Sequence, residues 1–303
     1  MKKLTPFFAL PLSALILIAC SSGGSTSTSS NDSTITTVTI PFQASANDIQ
    51  IDCDADLTGL GIAGTDATVK DFRFYIHDIE LTTDASRTLA LTLDTNPWQS
   101  NGVALLDFQN KSDSCEGDAK ETHTSVTGSV NLNEGESVNG VNFTVGLPTV
   151  LNHQNLTEAD SPMNIPSLSW GWQVGHKYMR LDIAPVGGIT RPTDGTYNST
   201  NWFLHLGSTD CSGDPALDEE VNCDRINRPK ISLDNFTLGE DTIVMDYGVL
   251  IANNNLGQDE AGPSGCMSGS TDPECQGIFT ALGLDLISGD QDNANNQTVF
   301  RLN

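Results

Sequence analysis

Positive charge is what this chain has least of. Its 303 residues carry 14 Lys+Arg against 39 Asp+Glu, for a formal net charge of −25. Loss of a segment that includes Lys2 and Lys3 brings the mature chain nearer −27. Phosphate recognition needs clustered Lys/Arg, so nucleic acid and anionic membrane surfaces are excluded as partners of the folded body. Long hydrophobic runs are also scarce. The one apolar segment, Phe7 to Ala19, is too short for a spanning helix. Catalytic signatures are missing as well. The chain has no G-x-S-x-G elbow, no H-E-x-x-H, no Walker loop and no dinucleotide fingerprint. These absences leave no catalytic class indicated, and composition by itself names no function. A hydrolase built on a carboxylate pair has no motif to support it.

What is present at the N-terminus reads as an export signal. Lys2 and Lys3 form a basic region, Phe7 to Ala19 the apolar region, and Leu17-Ile18-Ala19-Cys20 a bacterial lipobox. Residues 1–19 are expected to be removed and Cys20 acylated. Ser21-Ser22 follow, with no Asp to retain the product at the inner membrane. The expectation is an outer-membrane lipoprotein facing the periplasm or the cell surface. Each buried CH₂ of the acyl chains contributes about 0.8 kcal/mol of membrane affinity. Residues 20–34 are Ser/Thr-rich and carry little that could be buried, which predicts a flexible tether.

Six further cysteines, Cys53, Cys115, Cys211, Cys223, Cys266 and Cys275, predict three disulfides in an exported chain. Many pairings are open in principle. The short loops favour Cys211 with Cys223 and Cys266 with Cys275, which leaves Cys53 with Cys115. A thiolate metal site is disfavoured, because no Cys-x-x-Cys occurs and none of the six lies within four residues of a His.

Residues 35–303 show short β-type runs between turn residues. Thr37 to Ile40 alternates, as does Phe72 to Leu81, whose phase slips between Ile76 and Ile79. That slip predicts a bulge near His77-Asp78. Further runs are Leu89–Leu93, Gly102–Phe108, Ser125–Leu132, Ser137–Val145, Lys177–Ile183, Asn201–Leu206, Arg228–Phe236 and Thr242–Asp246. Ile278 to Ile287 is the one candidate helix. The pattern predicts an all-β fold, an antiparallel β-sandwich stapled by disulfides, in one domain. Asp52-Cys53-Asp54-Ala55-Asp56 has calcium-loop spacing, but Leu57 takes the position of the loop glycine. Calcium is a secondary candidate there.

Several segments in order resemble a known family. They are Phe74-Tyr75-Ile76-His77-Asp78-Ile79, Trp98-Gln99 with Val103 to Phe108, and Phe143 to Pro148 running on to Leu151-Asn152-His153. Met163-Asn164, Trp170-Gly171-Trp172-Gln173-Val174-Gly175-His176-Lys177-Tyr178, Phe203 to Thr209, and Cys223 to Arg228 complete the set. From Ile35 to Tyr247 the chain resembles the MbnP family, also called metallo-mystery pair four-Cys motif proteins. Cys53, Cys115, Cys211 and Cys223 match the four-cysteine pattern, and Cys266 and Cys275 fall outside it.

The resemblance implies an exported copper-binding protein. It implies a MauG-like dihaem partner that oxidises one tryptophan to kynurenine, whose nitrogen then joins histidines around copper. His77, His153 and His205 fall inside the resembling segments and are the candidate ligands; imidazole suits copper. Asp78 is the candidate acceptor for the His77 ring. Trp172 is the first candidate for modification, followed by Trp98 and Trp170, with Trp202 assigned to the core. His176 stands where the resemblance implies an aromatic residue, and His123 lies outside the segments. Without the resemblance, the same acidic, disulfide-stapled body fits a non-catalytic surface-adhesion module equally well.

Overall fold

Thr, Val, Ile and Phe dominate the strand segments, and their alternation decides what is buried. In the first strand, β1 (Ser33–Ala46), Val38, Ile40, Phe42, Ala44 and Ala46 are buried, while Thr37 and Thr39 face solvent. The computed structural model describes residues 33–109, 115, 121–171, 173–217, 219–292 and 296–303. Residues Ser33–Asn303 form one compact unit. The signal and Cys20 lie outside the described residues, as does most of the tether.

The principal strands after β1 are β2 (Thr65–Thr83), β3 (Val103–Asp107), β4 (Ser125–Asn133), β5 (Val138–Val145), β6 (Met179–Pro185) and β7 (Phe203–Leu206). They continue with β8 (Thr209–Ser212), β9 (Asn222–Arg225), β10 (Lys230–Asp234), β11 (Ile243–Asp246), β12 (Gly265–Cys266) and β13 (Phe300–Leu302). One sheet runs β13-β11-β1-β4, with Thr92–Leu93 at its edge. The larger sheet runs β10-β5-β2-β6-β7-β12, with β3 also on β2. β8 and β9 form a separate ribbon. The architecture is the expected disulfide-stapled sandwich, but its sheets are mixed rather than purely antiparallel. β1 runs parallel to β11, and β7 parallel to β12.

Aromatic rings close the space between the sheets. Phe42 of β1 meets Phe143 of β5 at 5.7 Å, and Phe300 of β13 meets Phe143 at 5.4 Å and Phe74 at 5.8 Å, all edge to face. Such pairs each add about 0.5–1.5 kcal/mol beyond the area they bury. Trp202 is 0% exposed within this core, as expected.

β2 positions everything that follows. Ala67 and Val69 point into the core, then Phe72, Phe74 and Ile76, then Ile79 and Leu81. The phase changes twice. The second change is the expected bulge: Asp78 takes a φ of 49°, and the register against β5 shifts between Asn142 and Thr144. The first is a register shift against β6 between Asp182 and Ile183, opposite Asp71 and Val69. Between the two bulges, Asp71, Arg73, Tyr75 and His77 alternate with the core-facing residues and are buried on the opposite face. A small second core covers that face, built on Tyr75, Val103, Leu105, Leu147, Met163, Leu168 and Tyr178.

The helix is displaced from its expected place. It spans α3, Pro273–Ala281, after the short α1 (Thr149–Asn152) and α2 (Tyr247–Leu250). Asp272 caps it by accepting from the Glu274 amide, and Pro273 fits its first turn. Gly283, at φ 70°, follows its end, so Leu282–Ile287 leaves the helix. Among the described residues, no helix is long and apolar enough to cross a membrane.

Candidate metal centre

Strand register brings Asp107, Arg73, Arg180 and His205 into one row across β3, β2, β6 and β7. Asp71 and Asp182 lie opposite each other beside that row. The side chains form a buried chain of ion pairs. Asp71 binds Arg73, Arg180 Nη1 lies 3.0 Å from Asp71 Oδ2, and Arg180 Nε lies 2.7 Å from Asp182 Oδ2. Asp182 Oδ1 then lies 2.9 Å from His205 Nε2. Burial pushes the Asp71 carboxyl upward, against the pull of Arg73 and Arg180. Charges taken out of water this far persist only because each is matched by an opposite one.

His205 ends this chain in a form suited to metal ligation. Asp182 sits at one ring nitrogen, and buried Nδ1 has no hydrogen-bond partner among the described residues. The indole of Trp170 lies beside it, with ring centroids 6.2 Å apart. Gly207 allows that approach, since a Cβ there would stand 2.4 Å from Trp170 Cζ3. Asp182 Oδ1 and Nε2 approach without hydrogen-bond alignment, and a carboxylate beside one ring nitrogen with the other bare is a common setting of a metal-binding histidine.

His77 repeats the pattern. Its Nδ1 lies 3.0 Å from Asp78 Oδ2, and its buried Nε2 has no hydrogen-bond partner among the described residues. Burial holds its pKa below the ordinary imidazole value, with Asp78 pulling the other way. His153, just after α1, is half-buried, with Nε2 3.0 Å from Asn152 Nδ2 and 3.4 Å from Cys223 Sγ. Three donor atoms, from His153, Cys211 and Cys223, fall within 4.8 Å of one another. The two sulfurs are bonded together there. All three disulfides pair as expected: Cys53–Cys115, Cys211–Cys223 and Cys266–Cys275.

The fold does not gather the three candidate histidines at one point. His205 stands in register with Arg73 two strands away, whereas His77 is four residues further along β2. At about 3.3 Å per residue and 4.8 Å per strand, their Cα atoms are roughly 16 Å apart. Their side chains stand near-perpendicular to the sheet, so one ion does not reach both. His176 is closed to metal, because Nδ1 lies 2.7 Å from the Asn152 carbonyl oxygen and Nε2 2.7 Å from that of Met163.

His123 is the residue that sequence reasoning passed over. It stacks on Trp98, with centroids 5.1 Å apart and planes 2° from parallel, and its Nδ1 lies 2.9 Å from the Leu105 carbonyl oxygen. Burial lowers its pKa. The bridge from His123 to Asp107 that creates the stack joins residues with no shared local pattern. Trp172 lies outside the described residues. Calcium finds no support at Asp52-Cys53-Asp54-Ala55-Asp56. The Asp52 side chain accepts from the Asp54 amide in a turn, and among the described residues no three acidic donors converge there.

The disulfide-stapled β-sandwich thus sets two buried imidazoles beside carboxylates, and one of them, His205, also beside a tryptophan. The profile of the MbnP family matches residues 35–268, and the chain belongs to that family. The solved structure of MbnP from Methylosinus trichosporium is similar at 28% identity and a TM-score of 0.81. That match covers 89% of this chain and 98% of the other. Among curated proteins, none matches the chain. Family membership supports a copper-related, MbnP-like role.

Proposed function

We propose that this chain is an exported lipoprotein that binds copper without turning over a substrate. In this reading a MauG-like dihaem partner converts one tryptophan to kynurenine, and Cys20 anchors the product to the outer membrane. Membership of the MbnP family supports the metal, and the His205 environment supports the ligand type. Copper, when bound, takes neutral imidazole and amine nitrogens readily. His205 would supply Nδ1, with Asp182 fixing the ring and Trp170 alongside. His77 and His153 are separate candidate positions, each offering one imidazole. Kynurenine carries an aniline nitrogen and a carbonyl where tryptophan has a fused ring, so an apolar side chain becomes a ligand. Trp172 remains the first candidate for that change, and Trp170 and Trp98 already touch imidazoles.

The test is peptide mass spectrometry and copper analysis of protein co-expressed with a dihaem partner. One tryptophan peptide should carry the mass of kynurenine, and copper should co-purify in proportion to it. Unmodified tryptophans together with no copper uptake would defeat the proposal.

A further inference from the structure

The Cys211–Cys223 disulfide differs from the other two in its access to solvent. Cys53, Cys266 and Cys275 are 1%, 2% and 0% exposed, so each of the other bridges has at least one closed half. Cys211 and Cys223 are both half-buried. They face each other across the β8–β9 ribbon, between the pairs Thr209–Arg225 and Ser212–Asn222. Ladder pairs on both sides of the bridge thus set the two residues opposite each other in addition to the S–S bond.

His153 stands over this bridge, its Nε2 3.4 Å from Cys223 Sγ. Asn152 Nδ2 lies 3.0 Å from the same nitrogen and must give way when a metal takes it. His153 and Cys223 line a cavity of about 130 Å³ together with Asn152 and Ser208. His153 also lines an adjoining cavity of about 200 Å³ with Glu219 and Glu220, which gives cations an acidic approach.

We propose that reduction of Cys211–Cys223 turns this corner into a copper(I) site made of two thiolates and the His153 imidazole. The site goes beyond the function proposed above, which concerns the oxidised protein. A dithiol reductant attacks one sulfur of the bridge. The S–S bond breaks and a mixed disulfide forms, which the second thiol of the reductant displaces. The reductant leaves as its own disulfide, and two electrons and two protons end on Cys211 and Cys223. Copper(I) then replaces the two thiol protons, which pass to solvent. Soft sulfur ligands select copper(I), and three donors suffice for it, whereas a closed zinc site needs a fourth.

The experiment treats the purified full chain with dithiothreitol under anaerobic conditions and maps the freed thiols by alkylation. After removal of the reductant, copper(I) is titrated against a chromophoric chelator. Cys211 and Cys223 should alkylate first, and the reduced protein should take up about one more copper(I) per chain than the oxidised protein. That gain should vanish in C211S/C223S, fall at least about tenfold in affinity in H153Q, and persist in C266S/C275S. No gain on reduction, a gain that survives in C211S/C223S, or tighter uptake of zinc than copper(I) would overturn the proposal. Absence of copper from the oxidised protein, with the gain intact, supports this site and counts against the earlier reading alone.

Discussion

Nδ1 of His77 lies 3.0 Å from Oδ2 of Asp78, the next residue on the same strand. Neighbours in a regular strand point to opposite faces and do not meet. Here the bulge turns Asp78 to a φ of 49°, so its largely exposed carboxylate swings back to the buried ring. In metal-free Asp78→Asn, burial still lowers the His77 pKa while the main opposing influence is gone. His77 should therefore titrate at lower pH than in the parent, as followed by its ring-proton NMR signals. An unchanged or higher value would refute the pairing. The sign for stability follows. Below about pH 6.5 the unfolded imidazole binds a proton that folded His77 resists, so this contribution is present above that pH and lost as pH falls through the folded pKa.

Asp182 should act on copper through His205. Asp182→Asn removes the charge that holds Nε2 and should weaken copper binding about 10–100-fold. His205→Gln, which removes the ligand itself, should cost more. Copper titration of both variants, with thermal melts to establish folding, checks the order. Equal binding by all three proteins would remove His205 from the site.

Asp272 predicts a pH effect of opposite sign. Burial, with Glu274 beside it, raises its pKa to about 8. Between the ordinary carboxylate value and about 8, the folded chain holds a proton that the unfolded chain lacks. Its contribution to stability is full below pH 3.8 and declines as pH rises to about 8, at up to about 1.4 kcal/mol per unit. Asp272→Asn should flatten that decline. Urea unfolding of parent and variant across this range measures it, and parallel curves would count against a proton held on Asp272 in the folded chain.

Cys266–Cys275 ties β12 to α3 across a separation of nine residues. Loop closure of that size is worth about 2–3 kcal/mol. Cys266→Ser with Cys275→Ser should lower unfolding stability by about that much and leave copper uptake by the oxidised protein unchanged. Loss of uptake would tie the C-terminal segment to the metal.

Cys20→Ala should release the protein from the membrane. Fatty-acid-analogue labelling should mark the parent and not the variant, which should partition into the soluble fraction. Membrane partition that survives the substitution would point to an anchor other than lipid.

The sequence by itself determined which residues point inward along each strand. Val38, Ile40 and Phe42 were legible because side-chain direction follows local alternation. So was the bulge at Asp78, since a phase slip is also local. Short loops foretold two disulfides and left the third. The helix start was not legible in this way: the apolar run placed the expected helix at Ile278 to Ile287, whereas the Asp272 cap starts it at Pro273. Tertiary structure alone decided what each inward or outward face meets. The shift opposite Asp71, which with the bulge aims Asp71, Arg73, Tyr75 and His77 away from the main core, depends on register against β6, far along the chain. The parallel pairing of Phe42 with Ile243 and the stack of His123 on Trp98 join segments with no common local pattern. The separation of His77 from His205 has the same origin. A residue's direction is set by its neighbours in sequence, but the distance between two ligands is set by which strands pair and in what register, and that is a property of the whole sheet.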